Sequence, residues 1–199
     1  VITRVTGFGQ DGPHAGRPGF ATIAEAMSGF ADINGSPDGP PVLPPIALTD
    51  ELTAVVAAYA TMAAVHAGVG QVVDVSLLDS LFSFMGHNWA AYAADGTLQP
   101  RMGSELPYSV PRDASGAAAG RWVAPSASAD TVAARVATMV GLGDDERLRS
   151  FAGRVAHRAE LDAAVAAFIA ERTLDEVLTA FDAADAAVAT LLAAPSDVA

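Results

Sequence analysis

The sequence predicts an α/β fold followed by a smaller α+β unit, on three observations. Two runs rich in β-branched residues, Val1–Val5 and Gln71–Val75, alternate with apolar-faced helical segments, giving strand, helix, strand, helix through residue 93. From 95 to 120, Gly, Pro, Ser and Ala predominate without periodicity, which reads as a linker with a mobile loop. Beyond it a short strand, three helices and a closing strand follow. The expected organisation is a first domain over 1–94, a linker over 95–120 and a second domain over 121–199.

Composition narrows the function. With 199 residues and 51% apolar content there is material for one good-sized core or two small ones. No run reaches the eighteen or so apolar residues of a membrane span, and no basic-then-apolar leader is visible, so a cytoplasmic protein without a membrane partner is expected. The absence of cysteine excludes disulfides, thiolate metal sites and a cysteine nucleophile. His14, His66, His87 and His157 do not fall at ligand spacing, so no metal is expected. The net charge is −12 and all eleven basic residues are Arg, a balance that argues against a nucleic-acid partner. Arg17, Arg101 and Arg112, in loops, are the candidate anion contacts.

In chain order, Val1–Val5 reads as a strand without an initiating Met, and an N-terminal part is expected to be missing. Gly7–Pro13, GFGQDGP, matches G-x-G-x-x-G after a strand, and Asp32 lies about where a ribose-binding acid would. The match fails on context, because Pro13, Gly16, Pro18 and Gly19 hold off helix until about Phe20, whereas a dinucleotide fingerprint opens its helix within the motif. Phe20–Phe30 is a short helix, and the turn-rich Asn34–Pro41 delivers the chain to PPIALTD, Pro44–Asp50. Behind Asp50 the spacing of Leu52, Val55, Val56, Tyr59, Met62 and Ala63 predicts a helix with that face buried, ending near Gly68. From these residues alone Asp50, or Thr49 before it, is an N-cap. Leu77–Ala93 should be one helix burying Leu78, Leu81, Phe82, Met85, Trp89 and Tyr92.

In the second half, Arg121–Ala124 reads as a strand, and helices are expected at Ala129–Val140, Arg158–Arg172 and Thr173–Ala184. The last carries a capping box, Thr173 with Glu176, ahead of the apolar face Leu174, Val177, Leu178 and Phe181. Ala187–Leu192 is the closing strand.

Taken together, VTGFGQDGP, GRPGFATIAEAMSG, SPDGPP, PPIALTDELTAVVAAYATMAAVHA, GQVVDVSLLDSLF and GRWVAPSAS, with the helices after them, resemble the class III CoA-transferases of the CaiB/BaiF family. The resemblance implies that 1–94 is the later part of a Rossmann-like CoA-binding and catalytic domain, followed by a linker with flap and a small α+β domain, in an interlocked homodimer. It implies that Asp50 is the catalytic nucleophile, displacing the N-cap reading. A carboxylate attacks a thioester at neutral pH without a general base. Coenzyme A would enter as an acyl-CoA substrate, with a free carboxylic acid as acceptor and with neither metal nor NAD.

By the same resemblance Arg17, Pro18, Gly19 and Phe20 lie along CoA. Gly19 permits close backbone approach, Arg17 can meet a phosphate and Phe20 offers an apolar surface, against the alternative of a turn that packs Phe20 into the core. Asp113–Gly120 stands where relatives have a Gly-rich flap, with alanines at 117–119. Racemase-like members carry a His in a Gly-His-Asp triplet, aligned here with Gly19-Phe20-Ala21, so transfer is expected rather than racemisation. Because family members are about twice this length, a catalytically silent truncated homologue that only folds or pairs is the second expectation.

Overall fold

The computed structural model describes residues 1–192, in two compact units, Val1–Met102 and a second beginning at Gly103. The first holds β1 (Ile2–Thr6), α1 (Ala21–Met27), α2 (Phe30–Ile33), α3 (Leu48–His66), β2 (Val72–Ser76), α4 (Leu77–Phe84) and α5 (Gly86–Asp95). β1 and β2 pair in parallel from Ile2↔Val72 to Thr6↔Ser76, and the three helices between them form the crossover that parallel strands require. Ala24, Ala31, Ala64, Val75, Leu77, Leu81 and Met85 are its buried apolar residues.

Two expected helices are broken. Gly29 stands at φ 84° and separates α1 from α2, in a conformation that costs glycine little. The helix expected over 77–93 divides at Met85, so Leu81 and Met85 are buried while Phe82 and Tyr92 are exposed. Phe82 stacks on the half-buried Trp89 instead, with centroids 4.9 Å apart.

The face of α3 is the larger correction. Val55, Tyr59 and Met62 are exposed, and the buried residues are Thr49, Thr53 and Ala64. Small side chains at i, i+4 spacing let α3 lie close against the strands and α4, and the Thr hydroxyls are satisfied locally: Thr53 and Thr61 donate to the carbonyls of Thr49 and Ala57 at 2.7 Å. At 19 residues and mean hydropathy 1.2, α3 is long and apolar enough to cross a membrane. Its contacts with β1, β2, α1 and α4 make it a helix of this unit, with two carboxylates, Asp50 and Glu51, in its first turn.

The second unit contains β3 (Ser115–Gly116), β4 (Trp122–Ser126), α6 (Asp130–Met139), α7 (Phe151–Ala156), α8 (Arg158–Ala170), α9 (Leu174–Ala183) and β5 (Ala187–Thr190). The strands form an antiparallel sheet in the order β3-β4-β5. Val123, Val136, Leu161, Ile169, Val177 and Phe181 have almost no exposure and form its core. The Thr173–Glu176 capping box is complete, with both reciprocal hydrogen bonds made. Residues 193–199, the end of the expected second domain, lie outside the described residues.

The stretch expected as linker, 95–120, is divided between the units. Its later part is built in: Ser115 and Gly116 pair with β4, the Ala118 N–H donates to the Arg172 carbonyl at 2.9 Å, and Ala117 is buried. Among the three alanines that stand in place of the flap glycines, only Ala119 takes a left-handed conformation, at φ 60°, beside Gly120 at φ 74°.

Two arginines organise this unit. Arg154 is wholly buried; its Nε, Nη1 and Nη2 donate to the carbonyls of Val110 and Leu148 and to Asp130 Oδ1 at 3.2, 3.3 and 2.6 Å. Arg158, at the start of α8, donates to the Leu106 carbonyl at 2.7 Å and faces Glu105 Oε2 at 3.4 Å. One turn on, the carboxylate oxygens of Asp162 are buried without a hydrogen-bond partner among the described residues, and Arg158 Nη1 is 3.9 Å away. Burial, then the nearby charge of Glu105 and more weakly of Asp113, pushes the Asp162 carboxyl up to about 7 against the pull of Arg158.

Because the folded form holds this proton more tightly than the unfolded chain, the resulting stability is present below the ordinary value of 3.8 and lost as pH rises through about 7. Asp162→Asn should therefore flatten the fall in Tm across that window and raise Tm at pH 8. Melts at several pH values test this, and an unchanged slope would show that Asp162 titrates as a solvated group.

Candidate active site

Asp50 is the third residue of α3 and not its cap. Ala47 occupies the cap position, where it has no side-chain oxygen to offer, because the chain tightens before the helix, with the Leu48 N–H on the Ile46 carbonyl at 2.8 Å. Thr49, the other expected cap, turns inward: it is fully buried, and its Oγ1 donates to Glu25 Oε1 on α1 at 3.0 Å. The Asp50 side chain is exposed and makes no hydrogen bond or ion pair with the described residues. The positive end of the helix dipole favours a carboxylate there. The local fold thus fixes the Asp50 backbone and leaves its carboxylate unengaged.

The loop between β1 and α1 supplies the second part. It is tied to the strand ends: the Gly9 N–H donates to Thr6 Oγ1 at 2.9 Å, and the Gln10 N–H to Asp74 Oδ2 on β2 at 2.7 Å. Gly7 and Gly19 pack backbone against backbone. A Cβ on Gly7 would stand 2.6 Å from the Gly19 Cα, and one on Gly19 would stand 2.8 Å from the Gly7 Cα. The close approach foreseen at Gly19 is therefore made to its own chain. Phe20, at the cap position of α1 in extended conformation, is 75% exposed, which overturns the core-packing alternative. Arg17 and Pro18 are exposed, and the Arg17 guanidinium has no partner among the described residues.

The other loop arginines are engaged. Arg101 donates to the Asp32 carbonyl at 2.8 Å and forms an ion pair with its carboxylate at 3.1 Å, using the acid that stood at ribose-binding spacing. Arg112 donates to the Ser104 carbonyl at 2.6 Å, within the second unit. Among the described residues no three His, Asp or Glu converge in a way that could hold a metal.

Sequence reasoning missed Glu25 and Asp74. Glu25 left a trace, a charge in the otherwise small and apolar ATIAEAM, and it is only 4% exposed. It joins the two parts of the site, since α1 begins directly behind Phe20 and Glu25 holds the residue next to Asp50.

The sequence model of CoA-transferase family III matches residues 1–198. Succinyl-CoA–D-citramalate CoA-transferase of Chloroflexus aurantiacus is 35% identical over 189 residues, 92% of this chain and 47% of that protein. Succinate–glutarate CoA-transferase of Agrobacterium fabrum is 33% identical over 168 residues, 81% of this chain and 42% of that protein. Among solved structures, a CaiB/BaiF family protein from Brucella suis has a TM-score of 0.74 at 26% identity, covering 100% of this chain and 54% of the other. A hypothetical protein from Mycobacterium tuberculosis has a TM-score of 0.77 at 25% identity, covering 98% and 53%. The chain thus spans about half the length of the curated relatives it matches.

Proposed function

Because this chain belongs to CoA-transferase family III, we propose that it carries the nucleophile of an enzyme that moves coenzyme A from an acyl-CoA to a free carboxylic acid, and that the nucleophile is Asp50. One observation carries the assignment: α3 presents a fixed, solvent-facing carboxylate that caps no helix and pairs with no described residue.

An Asp50 oxygen attacks the thioester carbonyl; a C–O bond forms, the C–S bond breaks, and CoA leaves as thiolate with an acyl–aspartyl anhydride behind. The thiolate then attacks the aspartyl carbonyl, releasing the donor acid as carboxylate and giving an aspartyl-CoA thioester. The acceptor carboxylate attacks that carbonyl, expelling thiolate again and forming a second anhydride. Attack of the thiolate on the acceptor's acyl carbon completes its thioester and restores the Asp50 carboxylate. Each step exchanges one leaving group for one nucleophile and consumes no oxidant or metal. The anhydrides hydrolyse in water, so the site must be closed while they exist.

Arg17 and Phe20, exposed and unengaged at the start of α1, are the residues of this segment free to meet CoA, with Pro18 shaping the turn and Gly19 holding it to the strand end. The named relatives act on succinyl-CoA or succinate, and this makes short dicarboxylic acyl-CoAs the first donors to try. A homodimer is part of the reading, and the exposed face Val55, Tyr59 and Met62 offers apolar surface for association. Phe20 in place of a proton-transferring His disfavours racemisation. A silent folding or pairing unit is the alternative that the experiment below separates from this one.

The test is to incubate the full-length protein with succinyl-CoA, quench with hydroxylamine and map the peptides by mass spectrometry. A hydroxamate on Asp50 is expected. Turnover with the Asp50 peptide unmodified would overturn the nucleophile, and absence of both turnover and adduct with a panel of acyl-CoAs would favour the silent unit.

A further inference from the structure

We propose that Glu25 is a positioning residue for Asp50, acting through Thr49 and tying the nucleophile to the Arg17–Phe20 segment. The proposal rests on Asp50 being the nucleophile.

Glu25 is 4% exposed on a helix whose neighbours are small or apolar, and burying a carboxylate in such a place is costly unless something compensates it. Its partner is a single hydroxyl, Thr49 Oγ1, at 3.0 Å. That hydroxyl belongs to the second residue of α3, and Asp50 is the third. The first turn has no side-chain cap, because Ala47 cannot make one. What holds the turn is instead the contact from α1, continued by Thr53 Oγ1 donating to the Thr49 carbonyl at 2.7 Å. Glu25, Thr49 and Thr53 are all buried, whereas Asp50 beside them is exposed. The chain of hydrogen bonds stops one residue short of the reacting group.

The other end of the link is equally short. α1 starts at Ala21, directly behind Phe20, and Glu25 lies little more than one turn further along. The opposite side of Phe20 is fixed by the Gly7–Gly19 contact. A shift of the Arg17–Phe20 segment when substrate settles on it is thereby carried down a rigid turn of helix to the backbone of Asp50. Glu25 need not touch substrate for this; it sets where the attacking oxygen starts from.

The experiment compares Glu25→Leu, Glu25→Gln, Thr49→Val and Thr49→Ser in the full-length protein, with Asp50→Ala as reference and Tm measured for each. Glu25→Leu and Thr49→Val should each lower kcat by about 10- to 100-fold, since a misplaced reacting group costs on that scale, while KM for the acyl-CoA stays within about twofold. Glu25→Gln and Thr49→Ser, which keep acceptor and donor, should restore kcat to within about threefold. The Glu25→Leu/Thr49→Val double variant should be no worse than either single one.

Near-normal kcat in Glu25→Leu and Thr49→Val, with Asp50→Ala inactive, would overturn the positioning role and leave the nucleophile standing. Parallel losses of Tm and kcat in both variants, not recovered by Glu25→Gln or Thr49→Ser, would make the contact purely structural and overturn it as well. An active Asp50→Ala would instead remove the nucleophile itself.

Discussion

Asp50→Ala should abolish CoA transfer in the full-length protein, by about four orders of magnitude or more, while moving Tm by no more than a degree or two. The expected loss is that of a group which forms the covalent intermediate, where removal leaves only binding and the background reaction. The expected indifference of stability follows from the geometry, because the side chain is exposed and makes no hydrogen bond or ion pair among the described residues. Its favourable interaction with the helix terminus is about 0.3–1 kcal/mol, and Glu51 stays in the same turn. Steady-state kinetics and a thermal melt on the same preparation decide the matter. Transfer at near-wild-type rate would sink the assignment, and a collapse of Tm would show that Asp50 supports the fold in a way its exposure hides.

Arg154→Met should strongly destabilise the second unit, costing about 3 kcal/mol or more. The guanidinium is wholly buried and satisfies two main-chain carbonyls, those of Val110 and Leu148, besides reaching Asp130. Asp130 is largely exposed and can return to water when the Arg is gone, so the ion pair is not the main loss. The two carbonyls cannot, and a buried acceptor left without a donor costs about 1–3 kcal/mol. Arg154→Lys should recover only part of this, because one ammonium cannot reach three acceptors spread over a planar fork. Denaturant titration reads the effect. Wild-type stability in Arg154→Met would mean that the loop carbonyls find other donors.

Much of the order of elements was legible because its signals are local, whereas β3, α7 and the helix breaks at Gly29 and Met85 were not foreseen. Strand and helix periods, the glycine punctuation and the Thr173–Glu176 box each act within a few residues, and the structure places them within a few residues of expectation. The packing of α3 was not legible in the same way. Hydrophobicity pointed to Val55, Tyr59 and Met62, whereas close approach selects for size, and the Thr and Ala side is the one that fits against the strands. Arg154 was invisible for a related reason: an Arg in AGRVAH reads as a solvated charge until the loop carbonyls that surround it are known.

The site divided in the same manner. From residue spacing alone Asp50 was a helix cap, and only the resemblance to a family gave it chemistry. The structure then removed the cap reading by placing the cap at Ala47, three residues before Asp50. Glu25 could not have been assigned beforehand, since its meaning depends on a partner 24 positions away.

The contact between Gly7 and Gly19 sets a limit on how this chain can vary over time. At most tight places in a protein, an enlarged residue can be answered by a reduced one opposite, and lineages drift by exchanging volume between neighbours. Here both participants already lack a side chain, and what a new Cβ would meet at 2.6 or 2.8 Å is main chain. No compensating substitution across the contact is available, so neither position can pass through an intermediate state on the way to another residue. A side chain at either position can be admitted only if the main chain of the loop itself moves.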